Sequence, residues 1–489
     1  MFPSLLWFRE ERPSEDRIAA QVFDDVNLDR LLPAPTVKKM QDPCSPEEIV
    51  ARQAIFRKLS DEATSAPYEA LELALAAYSR TQDATRQAKT EYETLVLFAE
   101  NAKKYRNVLL ALRDLPKDVP FSRGLLDFAN GEESLKFLAD FDQAIGNIDA
   151  CLKPICTLNS DIVLSEVTLR AEEQSPAEIE RSACETISEL AAALGIHVVP
   201  SGRQKSLFPD GALSDGLAQL YPEEFAVLRK FRADMKPQMK SEVLLLREEL
   251  QFYTSVCDLI KKAQNLDIPV CFPAIAKDRK YRATRAHDIS LTLKGEVRIV
   301  PNDIDFSERD RVCFLTGANG GGKTTYIRTI AINLILFLTG CPIFADDAEI
   351  YPFRQVFTHF TTDERFDSSG RLFDEQKRVD QILAIAKNDA FLLLNETFSG
   401  TDDKKGRELT LAYSAKFKEL GCFSLFVTHF HEVNDHGYTV FNTVIDVSDD
   451  NRRTFRIVKS DSLRSSYAAD ILKKYALTRD DLARRLGKR

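Results

Sequence analysis

One stretch restricts the possible folds of this chain more than any other: Gly317-Ala318-Asn319-Gly320-Gly321-Gly322-Lys323-Thr324. It fits the pattern G-x-x-x-x-G-K-[ST], which has meaning only between a strand and a helix. Both flanks comply. Val312–Leu315 is a continuous apolar run, as expected of a strand buried on both faces, and the segment from Thr325 to Gly340 reads as a helix. Glycines let backbone N–H groups turn inward as an anion cradle, and the N-terminus of the helix faces the same point. In that setting Lys323 reaches β- and γ-phosphates and Thr324 holds Mg²⁺. Gly317, Asn319, Gly320, Gly321, Gly322 and Thr325 complete the expected nucleotide-binding set. At average composition such a match arises by accident in about one or two chains per hundred of this length, and the strand and helix on either side make accident rarer still.

Two further apolar runs end in polar residues. Phe391–Leu394 leads into Asn395 and Glu396, and a carboxylate at such a strand end can polarise a water beside a γ-phosphate. Many buried strands end in Asn or Glu, so the signal gains its weight from lying about seventy residues after the glycine run. Phe423–Val427 leads into Thr428 and His429. Standing alone, His429 is more readily a satisfied core histidine; as the next strand end of a P-loop ATPase it fits a γ-phosphate sensor. The catalytic candidates are therefore Glu396 and His429.

The two halves differ in texture. Residues 1–265 hold seven of the nineteen glycines and read as long helices, and residues 266–489 alternate short apolar runs with helices in the α/β manner. The expected fold is an α/β P-loop ATPase domain of the ABC type over 266–489, preceded by an all-α core and lever region over 1–265. Ser45-Pro46-Glu47-Glu48 reads as a capped helix start. Leu246, Leu250, Tyr253, Cys257 and Ile260 form an apolar stripe on one helix, and Pro237 parts it from a helix beginning near Pro222. Val440–Val447 and Thr454–Val458 flank a turn and suggest a hairpin; Thr478 is expected to cap a terminal helix. The apolar stretch Ile327–Ala345 is broken by Arg328, Asn333 and Gly340, so it reads as a buried core helix and not a membrane span. The start of the chain lacks the basic, then apolar, pattern of a signal peptide. Nine cysteines without framework spacing suit a reducing cytosol, and neither they nor the histidines sit at metal-ligand spacing. A net charge of −9 gives nucleic-acid binding no support from composition, though a local basic patch remains open.

With these motifs in hand, the chain resembles the MutS family of DNA mismatch-repair ATPases over roughly residues 270–480. Val300-Pro-Asn-Asp303 precedes the glycine run as in that family, and GANGGGKTTYIRT is similar to the family's GPNMGGKSTYMR. Gly340–Ala345, Phe357-Thr358, Asn395–Thr401, Leu425–Glu432 and Arg464–Tyr467 follow in family order. Ser369-Gly370-Arg371, with Phe373 and Glu375 behind, resembles the segment that reaches across a dimer to the partner's nucleotide, shifted by about a residue. Upstream, Asn27–Leu31 followed by Arg52-Gln53 resembles the start of the helical core of short MutS-like proteins. The resemblance implies ATP and Mg²⁺ as ligands, a cytoplasmic homodimer with Ser369 and Gly370 acting in trans, and DNA held mainly through its backbone.

Departures from the family pattern set further expectations. No mismatch-reading domain fits before residue 27, so Phe8-Arg9-Glu10 is a coincidental Phe-x-Glu match, and no appended nuclease domain fits at the end. Asn395 stands where the family has an aspartate; Asn accepts a hydrogen bond from a Mg²⁺-bound water but brings no charge. Slower hydrolysis is the consequence expected of it. Lys277, Arg279, Lys280, Arg282 and Arg285 form a basic run that is either a solvated face or a DNA contact, the former favoured. Two alternatives to a DNA-handling ATPase stay open: an ATP-switched module acting on a non-DNA partner such as a ribosome, and a scaffold that binds ATP without hydrolysing it.

Overall fold

The computed structural model describes residues 4–6, 17–60, 62–117, 122–171, 211–295, 299–360, 368–398, 403–430, 437–446 and 452–460. Phe8–Glu10, Ser399–Thr401, Arg464–Tyr467 and the helix expected at Thr478 lie outside the described residues. The chain divides into two units, Met1–Leu5 with Asp61–Leu250 and Leu6–Ser60 with Gln251–Arg489.

Along the chain, α1 (Ala20–Asp25), α2 (Leu28–Leu31), α3 (Ala34–Met40) and α4 (Pro46–Leu59) belong to the second unit. The first unit follows with α5 (Glu62–Gln87), α6 (Glu91–Arg113), α7 (Arg123–Ala129), α8 (Glu132–Ala171), α9 (Gly211–Leu220) and α10 (Pro222–Met235). Helix α11 (Leu245–Gln264) begins in the first unit and ends in the second.

The first unit is helical because its apolar residues recur at helical spacing and its helix starts are satisfied locally. At Thr90 the side chain accepts from the backbone of Glu93, whose carboxylate accepts in return from the Thr90 N–H. The short link between α5 and α6 folds them back on one another. Aromatic rings fill the space between helices: Tyr105 meets Phe137 edge-on with centroids 4.8 Å apart, and Phe98 meets Phe231 at 5.9 Å. Pro237 sits in a 3₁₀ turn between α10 and α11, as its missing N–H predicts. Along α11, Leu246, Leu250, Tyr253 and Ile260 are buried and Cys257 is half-buried.

The second unit holds β1 (Ala274–Ile275), β2 (Tyr281–Ala286), β3 (Asn302–Phe306), β4 (Val312–Thr316), α12 (Lys323–Leu338), β5 (Asp347–Ile350), β6 (Gln355–Phe360), α13 (Ser368–Ile385), β7 (Ala390–Asn395), α14 (Asp403–Leu420), β8 (Phe423–Val427), β9 (Thr439–Asp446) and β10 (Arg452–Ser460). Its strands form two sheets, ordered β1-β5-β2-β3 and β10-β9-β4-β8-β7-β6. In the larger sheet only the β9–β10 hairpin is antiparallel. The apolar runs β4, β7 and β8 are its central strands and are buried along their whole length. The architecture is thus a helical region with a mixed α/β region.

From Thr329 to its end helix α12 is buried on every face, and its residues there are almost all apolar. Its one buried amide, Asn333, donates to the carbonyls of His287 and Thr329 and accepts from the Phe344 N–H at 2.8 Å, so its burial leaves nothing unmet. No helix among the described residues is long and apolar enough to cross a membrane. Helix α12 closes in a Schellman turn: Gly340 (φ +76°) donates to Phe337 and Cys341 donates to Leu336. Against that turn lies Arg52 of α4, fully buried, donating to the carbonyls of Thr339 at 2.8 Å and Leu6 at 2.9 Å. Helix α4 starts in the capping box formed by Ser45 and Glu48, and Gln53 donates to Pro273. Residues 6–60 are therefore tied to segments that follow some two hundred residues later.

Candidate functional site

The glycine run fills the gap between β4 and α12. Gly317, Gly320 and Gly322 have φ of +130°, +70° and +95°, which a side chain would strain. Space is a second constraint: a Cβ on Gly317 would lie 2.1 Å from Oγ1 of Thr443, and one on Gly321 2.9 Å from its Cγ2. Lys323, the first residue of α12, is 4% exposed. Its Nζ donates to the carbonyls of Gly317 (2.9 Å) and Ala318 (3.3 Å) and to Oδ1 of Asn319 (3.1 Å). An ammonium has three donors, so the loop itself satisfies the buried charge. Burial lowers the Lys323 pKa, and the carboxylate of Glu396, close enough to act through space, opposes that shift. Thr324 is exposed at the mouth of the loop and Thr325 half-buried behind it.

Neighbouring strands bring the other motif residues to the same edge. Asn395 ends β7 opposite Val427 of β8. It is 8% exposed, and among the described residues its Oδ1 is buried without a hydrogen-bond partner. Glu396 leaves the strand with φ +52°, its N–H held by the Val427 carbonyl at 2.9 Å, and Phe398 follows at φ +65°. A left-handed conformation costs a non-glycine residue about 1–2 kcal/mol, so two of them so close mark a turn that its surroundings enforce. His429 lies exposed two residues beyond β8, and Thr428 donates to the Leu315 carbonyl at 3.0 Å, which fixes the β8 end beside that of β4. A buried ammonium, a glycine loop at a helix N-terminus, an unpaired amide oxygen and a carboxylate thus meet at the carboxyl edge of parallel strands, where α/β sheets bind ligands.

Residues 313–478 match the family model of MutS domain V. The DNA mismatch repair protein MutS of Caldicellulosiruptor bescii is 28% identical over 188 residues, 35% of this chain and 22% of that protein. The MutS of Fervidobacterium nodosum is 30% identical over 219 residues, covering 41% and 26%. The endonuclease MutS2 of Lactococcus lactis subsp. cremoris is 31% identical over 141 residues, covering 28% and 18%. Over residues 313–478 the chain is similar to domain V of the MutS family. Its matched stretch spans less than a third of the length of each of these relatives.

Several features of this site have no signature in the linear motifs. Glu375 of α13, 7% exposed, accepts the Phe398 N–H at 2.8 Å, so the helix that opens with Ser369 and Gly370 grips the turn after Glu396. The side chains of Ser369 and Gly370 themselves lie outside the described ones. Buried His359 at the end of β6 shares a 3.0 Å hydrogen bond with Thr397. A cavity of about 430 Å³, lined by Ile268, Arg285, His287, Val300, Pro301 and Arg456 among others, adjoins the β9–β10 hairpin. Burial lowers the His287 pKa, and a hydrogen bond to the Arg285 backbone opposes that shift.

Four of the five cations of the basic run are neutralised by nearby carboxylates, and Lys277 is exposed. Lys280 pairs with Glu349, Arg282 with Asp305 and Arg285 with Asp346, while Arg279 pairs with Glu308 and donates to the carbonyls of Asn388 and Gly421. Tyr281, in its midst, is fully buried and donates to the Ile330 carbonyl.

Proposed function

We propose that this MutS-family chain binds and hydrolyses ATP at the edge formed by β4, β7 and β8, works as a homodimer, and acts on DNA. The observation that carries the proposal is the pairing of Lys323, folded onto its own loop, with the unsatisfied Oδ1 of Asn395 and the strained Glu396. On nucleotide arrival Lys323 exchanges its three loop oxygens for phosphate oxygens, and the N–H groups of Gly320, Gly321 and Gly322 with the α12 N-terminus complete the cradle. The residues fit Mg²⁺: the Thr324 hydroxyl is exposed beside the loop, and the Asn395 carbonyl can accept from a metal-bound water. When bound, Mg²⁺ neutralises phosphate charge. Glu396 then orients the attacking water and takes its proton, and His429 faces the γ-phosphate from the β8 end. The cavity beside the hairpin suits the base. Ser369 and Gly370 of a second copy complete the site in trans, so closure of the dimer depends on nucleotide.

The named activities of the relatives in mismatch repair support DNA as the partner, contacted through its backbone in a salt-dependent way. The test is ATP binding and turnover by the purified chain, with and without homoduplex, mismatched and branched DNA at low salt. Lys323→Ala is expected to abolish binding; Glu396→Gln is expected to bind ATP and accumulate the closed dimer. Turnover by Glu396→Gln equal to wild type would remove Glu396 from its role, and turnover indifferent to every DNA would remove the DNA assignment.

A further inference from the structure

The β9–β10 hairpin carries a cation that the motifs do not use. Arg453 pairs with Ile445, yet Ile457 pairs with Thr443, so four steps along β10 face two along β9. The surplus residues form a bulge held in place from several sides. Thr454 donates to the Val444 carbonyl at 2.6 Å and accepts from the Arg456 N–H. Asn302 clasps the far side, its Nδ2 donating to the Phe455 carbonyl at 3.0 Å and its Oδ1 accepting from the Ile457 N–H at 2.7 Å. Phe455 takes φ +56°.

The bulge leans over the glycine loop. A Cβ built on Gly322 would lie 3.6 Å from the Phe455 ring, and one on Gly320 would lie 2.5 Å from Nη1 of Arg453. A side chain at 320 would displace that guanidinium from the loop. Arg453 is exposed, and among the described residues no hydrogen bond or ion pair engages it. Four of the five cations of the basic run, Arg279, Lys280, Arg282 and Arg285, have a carboxylate, as does nearby Lys459, which pairs with Asp310 at 2.6 Å. Across the loop the metal-side residue, Asn395, is neutral.

We propose that Arg453 is a phosphate-binding residue: a fixed cation beside Gly320 that supplies part of the charge neutralisation which the neutral Asn395 leaves to a weakly held Mg²⁺. The proposal rests on the nucleotide-site reading above and adds to it a contact made by the same chain. A guanidinium can engage two phosphate oxygens at once, and here it approaches from the hairpin side, opposite Lys323.

The test is equilibrium binding of fluorescently labelled ADP and ATP to the full chain, once with Mg²⁺ and once with EDTA. Wild type is expected to keep measurable affinity in EDTA. Arg453→Ala is expected to weaken binding about tenfold in EDTA and by less with Mg²⁺, with Arg453→Lys between the two. Asn395→Asp placed on Arg453→Ala is expected to restore binding in Mg²⁺ and not in EDTA. Arg453→Ala that binds as tightly as wild type in EDTA, or more tightly, overturns the proposal while the nucleotide site stands, provided Lys323→Ala has lost binding. Wild type that binds no nucleotide in either buffer overturns both. Arg453 is exposed, so the variants are expected to melt with wild type; Arg453→Gln, which keeps most of the stem, repeats the comparison if Arg453→Ala does not.

Discussion

Gly340→Ala tests whether the Schellman turn of α12 and the buried Arg52 act as one unit. Two costs follow from the geometry. Alanine at φ +76° bears the left-handed penalty, about 1 kcal/mol at the low end. The new Cβ would also lie 2.7 Å from Cβ and 2.9 Å from Cδ of Arg52, well inside contact distance. Arg52 cannot swing aside freely, because it holds the carbonyls of both Thr339 and Leu6. Losing one of these charge-assisted bonds adds about 1.5–3 kcal/mol, for a sum of roughly 3–4 kcal/mol. Two units make a single unfolding free energy ill-defined, so the suitable assay is amide hydrogen exchange read separately over α4, α12 and the first unit. Protection over α4 and α12 is expected to fall by roughly a hundredfold or more, with α6 and α10 unchanged. An Arg52→Ala background keeps the Cβ contact but removes Cδ and both carbonyl bonds, so there the same substitution should cost less by about 2 kcal/mol, the share of the lost bond. A loss smaller than tenfold, or an equal loss in both backgrounds, refutes the steric argument.

Nucleotide affinity should fall with rising pH at values below 10.5, because burial lowers the Lys323 pKa in the free protein. Below the lowered pKa the ammonium is already present and affinity is full; above it each binding event must take up a proton, so affinity declines. Titration of labelled-nucleotide binding against pH checks this, and affinity flat to pH 10.5 contradicts it. Glu375→Ala removes the acceptor of the Phe398 N–H, so it is expected to lower kcat several-fold with little change in nucleotide Kd. Glu375→Gln, which still accepts that bond, should restore most of kcat; equal rates in all three proteins would remove Glu375 from this positioning role.

What was legible in the sequence followed local rules. The glycine run, the three buried strands, the Ser45 capping box and the α11 stripe depend on neighbours within a turn or a strand, and each appears at the expected residues. The turn following Glu396 was less legible, because Glu375 reaches it across 23 positions and no spacing rule joins a helix interior to a strand end. Arg453 left no signal at all. Its place over Gly320 depends on a two-residue bulge whose clamp, Asn302, lies 153 positions away from Phe455. The basic run misleads in the opposite sense: five cations in nine residues look like a patch until the carboxylates of Glu308, Glu349, Asp305 and Asp346 are set beside four of them.

The grip of Arg52 on Thr339 also sets a timetable for synthesis. The two residues are separated by 287 positions, so at about 5–20 residues per second the guanidinium waits roughly 15–60 s for its acceptor. The first unit is complete in sequence before that moment, and its helices close on contacts within residues 61–250. During the interval Val22, Phe23, Ile49, Ile55 and Phe56, all buried in the finished protein, have no core to enter. The nascent chain is therefore most exposed to chaperones and to misassociation over residues 6–60.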